Sequence, residues 1–175
     1  IAVLLFLPGM AVAGSLEPSG APAPTMKTLD QIPPTWSQKL PAAERFVLVL
    51  DNAAVLDKET GLVWEKSPST LTYAWTNALY HCFDLNVGGR KGWHLPTVEQ
   101  LASLVDTSAS GSPKLTTGHP FIGVQSDYYW SATTGADDTT GAWVVGFGFG
   151  GVYNGGKTSY AYAWCVRGGQ SHDAY

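Results

Sequence analysis

The sequence is poor in charge: over 175 residues Asp, Glu, Lys and Arg make up only 14%, and just 10 residues are Lys or Arg. Neutralising phosphates takes clustered cations, so a formal net charge of −4 without any basic cluster argues against nucleic acid as a partner. Long apolar runs are missing too. The one candidate, Ile1 to Leu7, is broken by Pro8 and Gly9 and falls short of the roughly 20 residues a membrane span needs. Cysteine occurs twice, so no cysteine cluster is available to hold a metal.

What is abundant is glycine, with 20 residues, and tryptophan, with 7. That balance suits one loop-rich domain with aromatic packing better than a helical bundle. The opening IAVLLFLPGMAVAGS pairs an apolar run with small residues at Ala11 and Ala13, the pattern of an export signal cleaved after Ala13. The expected organisation is a partial signal over residues 1–13, a Pro/Ala/Ser-rich spacer over 14–44 and a domain over 45–175. Trp36 is a candidate anchor of the spacer on the domain. Export places the chain in the periplasm, at the cell surface or outside the cell, with no integral membrane segment left after cleavage.

Within the domain, Phe46 to Leu50 and Leu62 to Trp64 are short β-rich runs and predict two strands. Ala74, Trp75, Ala78, Leu79 and Cys82 recur at helical spacing after Thr72, a candidate N-cap, and predict a three-turn amphipathic helix. Thr97 with Gln100 forms a capping box, and Leu101, Leu104 and Val105 make the buried stripe of a second helix. Residues 107–127 predict a long excursion pinned to the core by Phe121 and Ile122. From Tyr128 onward the texture is β. Trp143, Val145, Phe147 and Phe149 alternate with Val144, Gly146 and Gly148, which predicts one buried face and one bare one.

Several strings imitate chemistry. GVYNGGKT, from Gly151 to Thr158, fits the phosphate-loop pattern, but a strand-like segment follows it where the motif needs a helix N-terminus, so it predicts a turn. Gly146, Gly148 and Gly151 fit a dinucleotide fingerprint without the βαβ unit around it. His81, His94, His119 and His172 share no ligand spacing, and Asp137 and Asp138 make a solvated turn rather than a calcium loop. Ser131 lacks a nucleophile elbow, and Glu65 and Glu99 lie on separate elements. The expectation is no metal, no cofactor and no catalytic residue. Cys82 and Cys165 are the only pair in a chain read as exported, which predicts a disulfide between them.

Taken in order, TGLVWEK, a helix ending in Cys82, GWHLPTVEQLASLVD, YYWSAT, AWVVGF and WCVRGG resemble the Lcl C-terminal domain family, also called domain of unknown function 1566. The likeness spans about residues 45 to 169. It implies an α+β, C-type-lectin-like fold: a twisted antiparallel sheet, two flanking helices and long loops. Trp64, Trp75, Trp93, Trp130, Trp143 and Phe147 then belong to the core, with Pro96 and Thr97 opening a helix. This chain has His94 where the family usually has Arg, and Trp164 where it usually has Arg before the last cysteine. The family's named adhesin binds sulfated polysaccharides as a trimer, whereas sulfate recognition wants the Arg and Lys that are scarce here. Calcium-dependent lectin tracts are absent.

The expected function is a secreted, non-catalytic module that recognises a glycan or protein ligand through Phe149, Tyr153, Asn154, Tyr160 and Tyr162. Tyrosine beside Gly and Asn joins apolar area to polar tips, as adaptable recognition surfaces do. Two alternatives stand beside it. One is a structural envelope protein that self-associates as a homo-oligomer; the other is a retroelement-diversified protein varied at positions such as Val144, Gly146, Gly148, Tyr153, Asn154, Tyr160 and Tyr162.

Overall fold

The computed structural model describes residues 40–169, so the expected signal, Trp36 and His172 lie outside the described residues. Among the described residues the architecture is α+β, with two five-stranded sheets and three short helices. After α1 (Ala42–Arg45), strands β1 (Phe46–Val49), β2 (Ala54–Asp57) and β3 (Leu62–Glu65) form a meander. Three strands stand where two were expected, because the Ala54–Asp57 run hides between turn residues in sequence yet is buried at Ala54, Val55 and Asp57. α1 takes in residues assigned above to the spacer, and its Ala42 packs into the core.

β4 (Thr72–Tyr73) precedes α2 (Trp75–Asp84), which buries Ala78 and Cys82 as the spacing predicts. Thr72 is not its cap: it pairs with Tyr162 in a sheet, and Ala74 takes the cap position with no side-chain bond. β5 (Trp93–His94) leads to α3 (Val98–Ala102), whose capping box is as expected: Gln100 N–H donates to Thr97 Oγ1 at 3.2 Å and Thr97 N–H to Gln100 Oε1 at 2.9 Å. In the excursion that follows, Phe121 is buried but Ile122 is 57% exposed, its N–H donating to the Lys66 carbonyl. Adjacent residues in extended chain face opposite ways, so only one of the two can reach the core.

β6 (Tyr128–Thr134), β7 (Gly141–Gly146) and β8 (Gly151–Gly156) form a second meander, followed by β9 (Ala161–Tyr162) and β10 (Val166–Arg167). The sheets run β1-β2-β3-β10-β5 and β4-β9-β6-β7-β8. All pairings are antiparallel except β6 with β9. The last stretch is therefore not one strand. Its two ends belong to different sheets, and Trp164 and Cys165 lie in the link between them.

That link organises the interior. The fully buried Trp164 indole meets Phe121 at 4.9 Å, Phe147 at 5.4 Å, Tyr129 at 5.7 Å and Trp64 at 5.8 Å, and its Nε1 donates to the Glu65 carbonyl at 2.8 Å. The next residue, Cys165, faces a second cluster with Ala78, Trp93, Leu95, Trp130 and Val144. There it is bonded to Cys82, as expected, with Cα atoms 5.3 Å apart. Trp75 and Trp143 are only half-buried, whereas Trp64, Trp93, Trp130 and Phe147 are core residues.

The bare face expected of β7 is covered. Val144 is 5% exposed, and Gly146 is buried because the rings of Tyr128 and Tyr153 fill the space its missing side chain leaves: a Cβ there would lie 3.1 Å from Tyr128 Cε1 and 3.6 Å from Tyr153 Cε2. Phe149, expected on the buried face, lies beyond the strand and is 85% exposed.

Candidate binding site on the outer face of β6, β7 and β8

Strand alternation decides which aromatics reach this face. The registers Tyr128↔Gly146, Trp130↔Val144 and Val144↔Tyr153 put Tyr128, Trp130, Val144 and Tyr153 on one side of the sheet. Tyr129 and Val145 point the other way, into the Trp164 cluster. On the outer side Tyr128 and Tyr153 meet edge to face at 5.5 Å and 88°, and both keep about two-fifths of their surface in solvent, 42% and 44%.

These residues surround a cavity of about 330 Å³, completed by Asn154, Gly155, Ser159, Tyr160 and Ala161. Trp130 is its floor, held by donation from Nε1 to the Tyr73 carbonyl at 2.8 Å. Gly155 keeps that floor open, since a Cβ there would sit 3.2 Å from Trp130 Cη2. Tyr160, 71% exposed, is more open to solvent than Tyr128 and Tyr153. No charged side chain lines the cavity. The nearest cation in sequence, Lys157, is committed elsewhere: its Nζ sits 4.0 Å from the centre of the Trp75 ring and donates to Thr134 Oγ1 at 3.0 Å and the Thr139 carbonyl at 2.9 Å.

Of the five residues singled out by sequence, Tyr153, Asn154 and Tyr160 come together here. Tyr162 does not, because its ring turns inward and packs 5.4 Å from that of Tyr129 against the core. Phe149 is not among the lining residues either. Sequence reasoning missed Tyr128 as a wall and took Trp130 for core alone. The signal was available in YYWSAT, where the first and third aromatics must share a face.

The string GVYNGGKT is β8 followed by a turn at Lys157, so no helix N-terminus stands behind it to hold a phosphate. Asp138 is drawn below the usual carboxylate range by hydrogen bonds from the Thr140 hydroxyl and N–H, the chemistry of a turn. Among the described residues no helix is long and apolar enough to cross a membrane.

The arrangement defines an α+β domain with one disulfide and an uncharged aromatic cavity on its outer sheet. The profile of the Lcl C-terminal domain matches residues 53–167, and the chain belongs to that family. Among curated proteins none matches the chain.

Proposed function

We propose that this domain is a non-catalytic binding module of C-type-lectin-like type, acting outside the cytoplasm and taking an uncharged glycan into the cavity bounded by Tyr128, Tyr153 and Tyr160. The observation that carries this reading is the lining itself: aromatic faces around a concave site with only neutral polar groups at its edge. A pyranose presents C–H bonds on its faces and hydroxyls around its rim. Tyrosine faces would stack on the former, while the tyrosine hydroxyls, Asn154 and Ser159 lie within the lining to meet the latter. A sulfated ligand would bring charges that nothing in the lining can pair, so the sulfate preference of the family's adhesin is not carried over to this chain.

A glycan array holding neutral and sulfated sugars side by side tests this. The expected result is binding to neutral glycans that the Tyr153→Ala/Tyr160→Ala double variant loses. Binding confined to sulfated sugars, or unchanged in the double variant, would overturn it.

Self-association is favoured by a separate observation. β8 is an edge strand with exposed Val152 and Tyr153, and such an edge offers unpaired backbone groups to a second copy. Solution mass tests that reading: a stable oligomer broken by Val152→Lys supports it, and a monomer at all concentrations rejects it.

A further inference from the structure

Glu65 on β3, His81 on α2 and Cys165 in the β9–β10 link are distant in sequence, yet they meet. A carboxylate oxygen of Glu65, an imidazole nitrogen of His81 and the Cys165 sulfur all lie within 4.8 Å of one another. Cys82, the residue after His81, is bonded to that same sulfur. Glu65 Oε2 and His81 Nε2 are both buried without a hydrogen-bond partner. Orphaned polar atoms on two side chains gathered about a cysteine sulfur are costly as packing, because neither regains the hydrogen bonds it gave up on burial. They make sense as ligands.

We propose that the reduced protein binds one Zn²⁺ through Glu65, His81, Cys82 and Cys165, the disulfide being the oxidised alternative to a metal site. A dithiol reductant supplies two electrons and two protons, breaking the S–S bond and itself becoming a disulfide. Each of the two thiols then gives its proton to solvent as a Zn–S bond forms, and the Glu65 carboxylate and neutral His81 imidazole complete four-coordination.

The geometry is close to what this requires. Donor atoms of a tetrahedral zinc site stand roughly 3.5 Å apart. The Glu65, His81 and Cys165 donors therefore close by about 1 Å, while the Cys82 sulfur, held against that of Cys165 by the S–S bond, swings outward as the bond opens. Two ligands are held without the S–S bond, since Glu65 N–H donates to the Cys165 carbonyl at 3.0 Å. A third, His81, is fixed by stacking on Tyr73 at 4.7 Å. His81 also lines an open cleft of about 610 Å³ with Tyr73, Asn77 and Asp84, which gives the ion a way in.

Cobalt reports on such a site directly. The full chain is reduced with a thiol-free phosphine, freed of reductant without air, and titrated with Co²⁺ alone. The expected result is saturation at one equivalent with tetrahedral d–d bands and a thiolate-to-cobalt charge-transfer band, all displaced by Zn²⁺. Oxidised protein shows none of these. Glu65→Gln and His81→Ala each weaken binding about tenfold or more. A reduced chain that merely unfolds would chelate through its cysteines regardless of residues 65 and 81, so unchanged affinity in those variants overturns the proposal. So does the absence of one-equivalent binding, or equal binding by the oxidised protein.

Discussion

The two sides of the β6–β7–β8 meander are built from the same kinds of residue and do different things. On the inner side Tyr129, Val145 and Phe147 are fully buried around Trp164. On the outer side Tyr128 and Tyr153 are little more than half covered around an open cavity. Aromatic identity does not separate the two. Register does, together with the small residues Gly146 and Gly155, whose missing side chains leave room for Tyr128 and Tyr153 and for Trp130. Inner aromatics should therefore answer in stability and outer ones in binding.

The largest effect is expected at the hub. Trp164→Ala removes an indole that touches both sheets and leaves a cavity that its neighbours cannot close, at a cost of about 3–5 kcal/mol. Chemical denaturation should show the midpoint moving far to lower denaturant. A midpoint shift worth less than about 1 kcal/mol would mean that Trp164 fills space without joining the sheets.

Close behind it stands the disulfide. Cys82 and Cys165 are separated by 83 positions, and closing a loop of that length is worth roughly 4 kcal/mol or more in the chain-entropy treatment. Cys82→Ser should lower the Tm by well over several degrees in a thermal melt, and should weaken glycan binding with it, since Trp130 and Cys165 share one cluster. A Tm within a degree of the parent protein would place the stapling role elsewhere.

A smaller, pH-dependent effect sharpens the comparison from the β3 side. Burial pushes the Glu65 carboxyl up to about 7, against a smaller lowering by the hydrogen bond with Cys165. As pH rises from the ordinary carboxylate range through that value, the unfolded chain releases the proton first. The stability tied to protonated Glu65 is therefore complete in acid and lost on the way to pH 7 and above, by at most roughly 3 kcal/mol. Burial lowers His81 and His119, which act in the opposite direction and destabilise as pH falls. Glu65→Gln should match the parent near pH 4 and exceed its Tm near pH 8. Equal melting of the two proteins at both pH values would contradict a buried Glu65.

The smallest change is local. Thr97→Ala loses one arm of the α3 capping box and should cost about 1 kcal/mol in denaturant melts without altering ligand affinity. A larger loss would show that Thr97 supports more than its helix.

Much of this frame was legible in the chain. The capping box at Thr97, the buried face of α2 and the pairing of Cys82 with Cys165 all follow from short-range patterns or from simple cysteine arithmetic. What escaped was long-range. Alternation along β7 marks Val144 and Gly146 as one face but cannot say that Tyr128 and Tyr153, from neighbouring strands, will cover it. Tyr162 looks like its exposed neighbour Tyr160, yet the parallel pairing of β9 with β6 turns it toward Tyr129. Glu65 and His81 carry no shared motif and meet where α2 lies beside the link next to β3.

Whether the outer tyrosines serve a ligand or the fold is decided by calorimetric titration of the strongest neutral glycan from the array into the parent and Tyr153→Ala/Tyr160→Ala proteins, each melted from the same sample. The expected result is at least a hundredfold loss of affinity, about 2.7 kcal/mol, with a Tm that stays within a few degrees. Affinity retained while the Tm collapses would contradict it, and would assign those rings to the core.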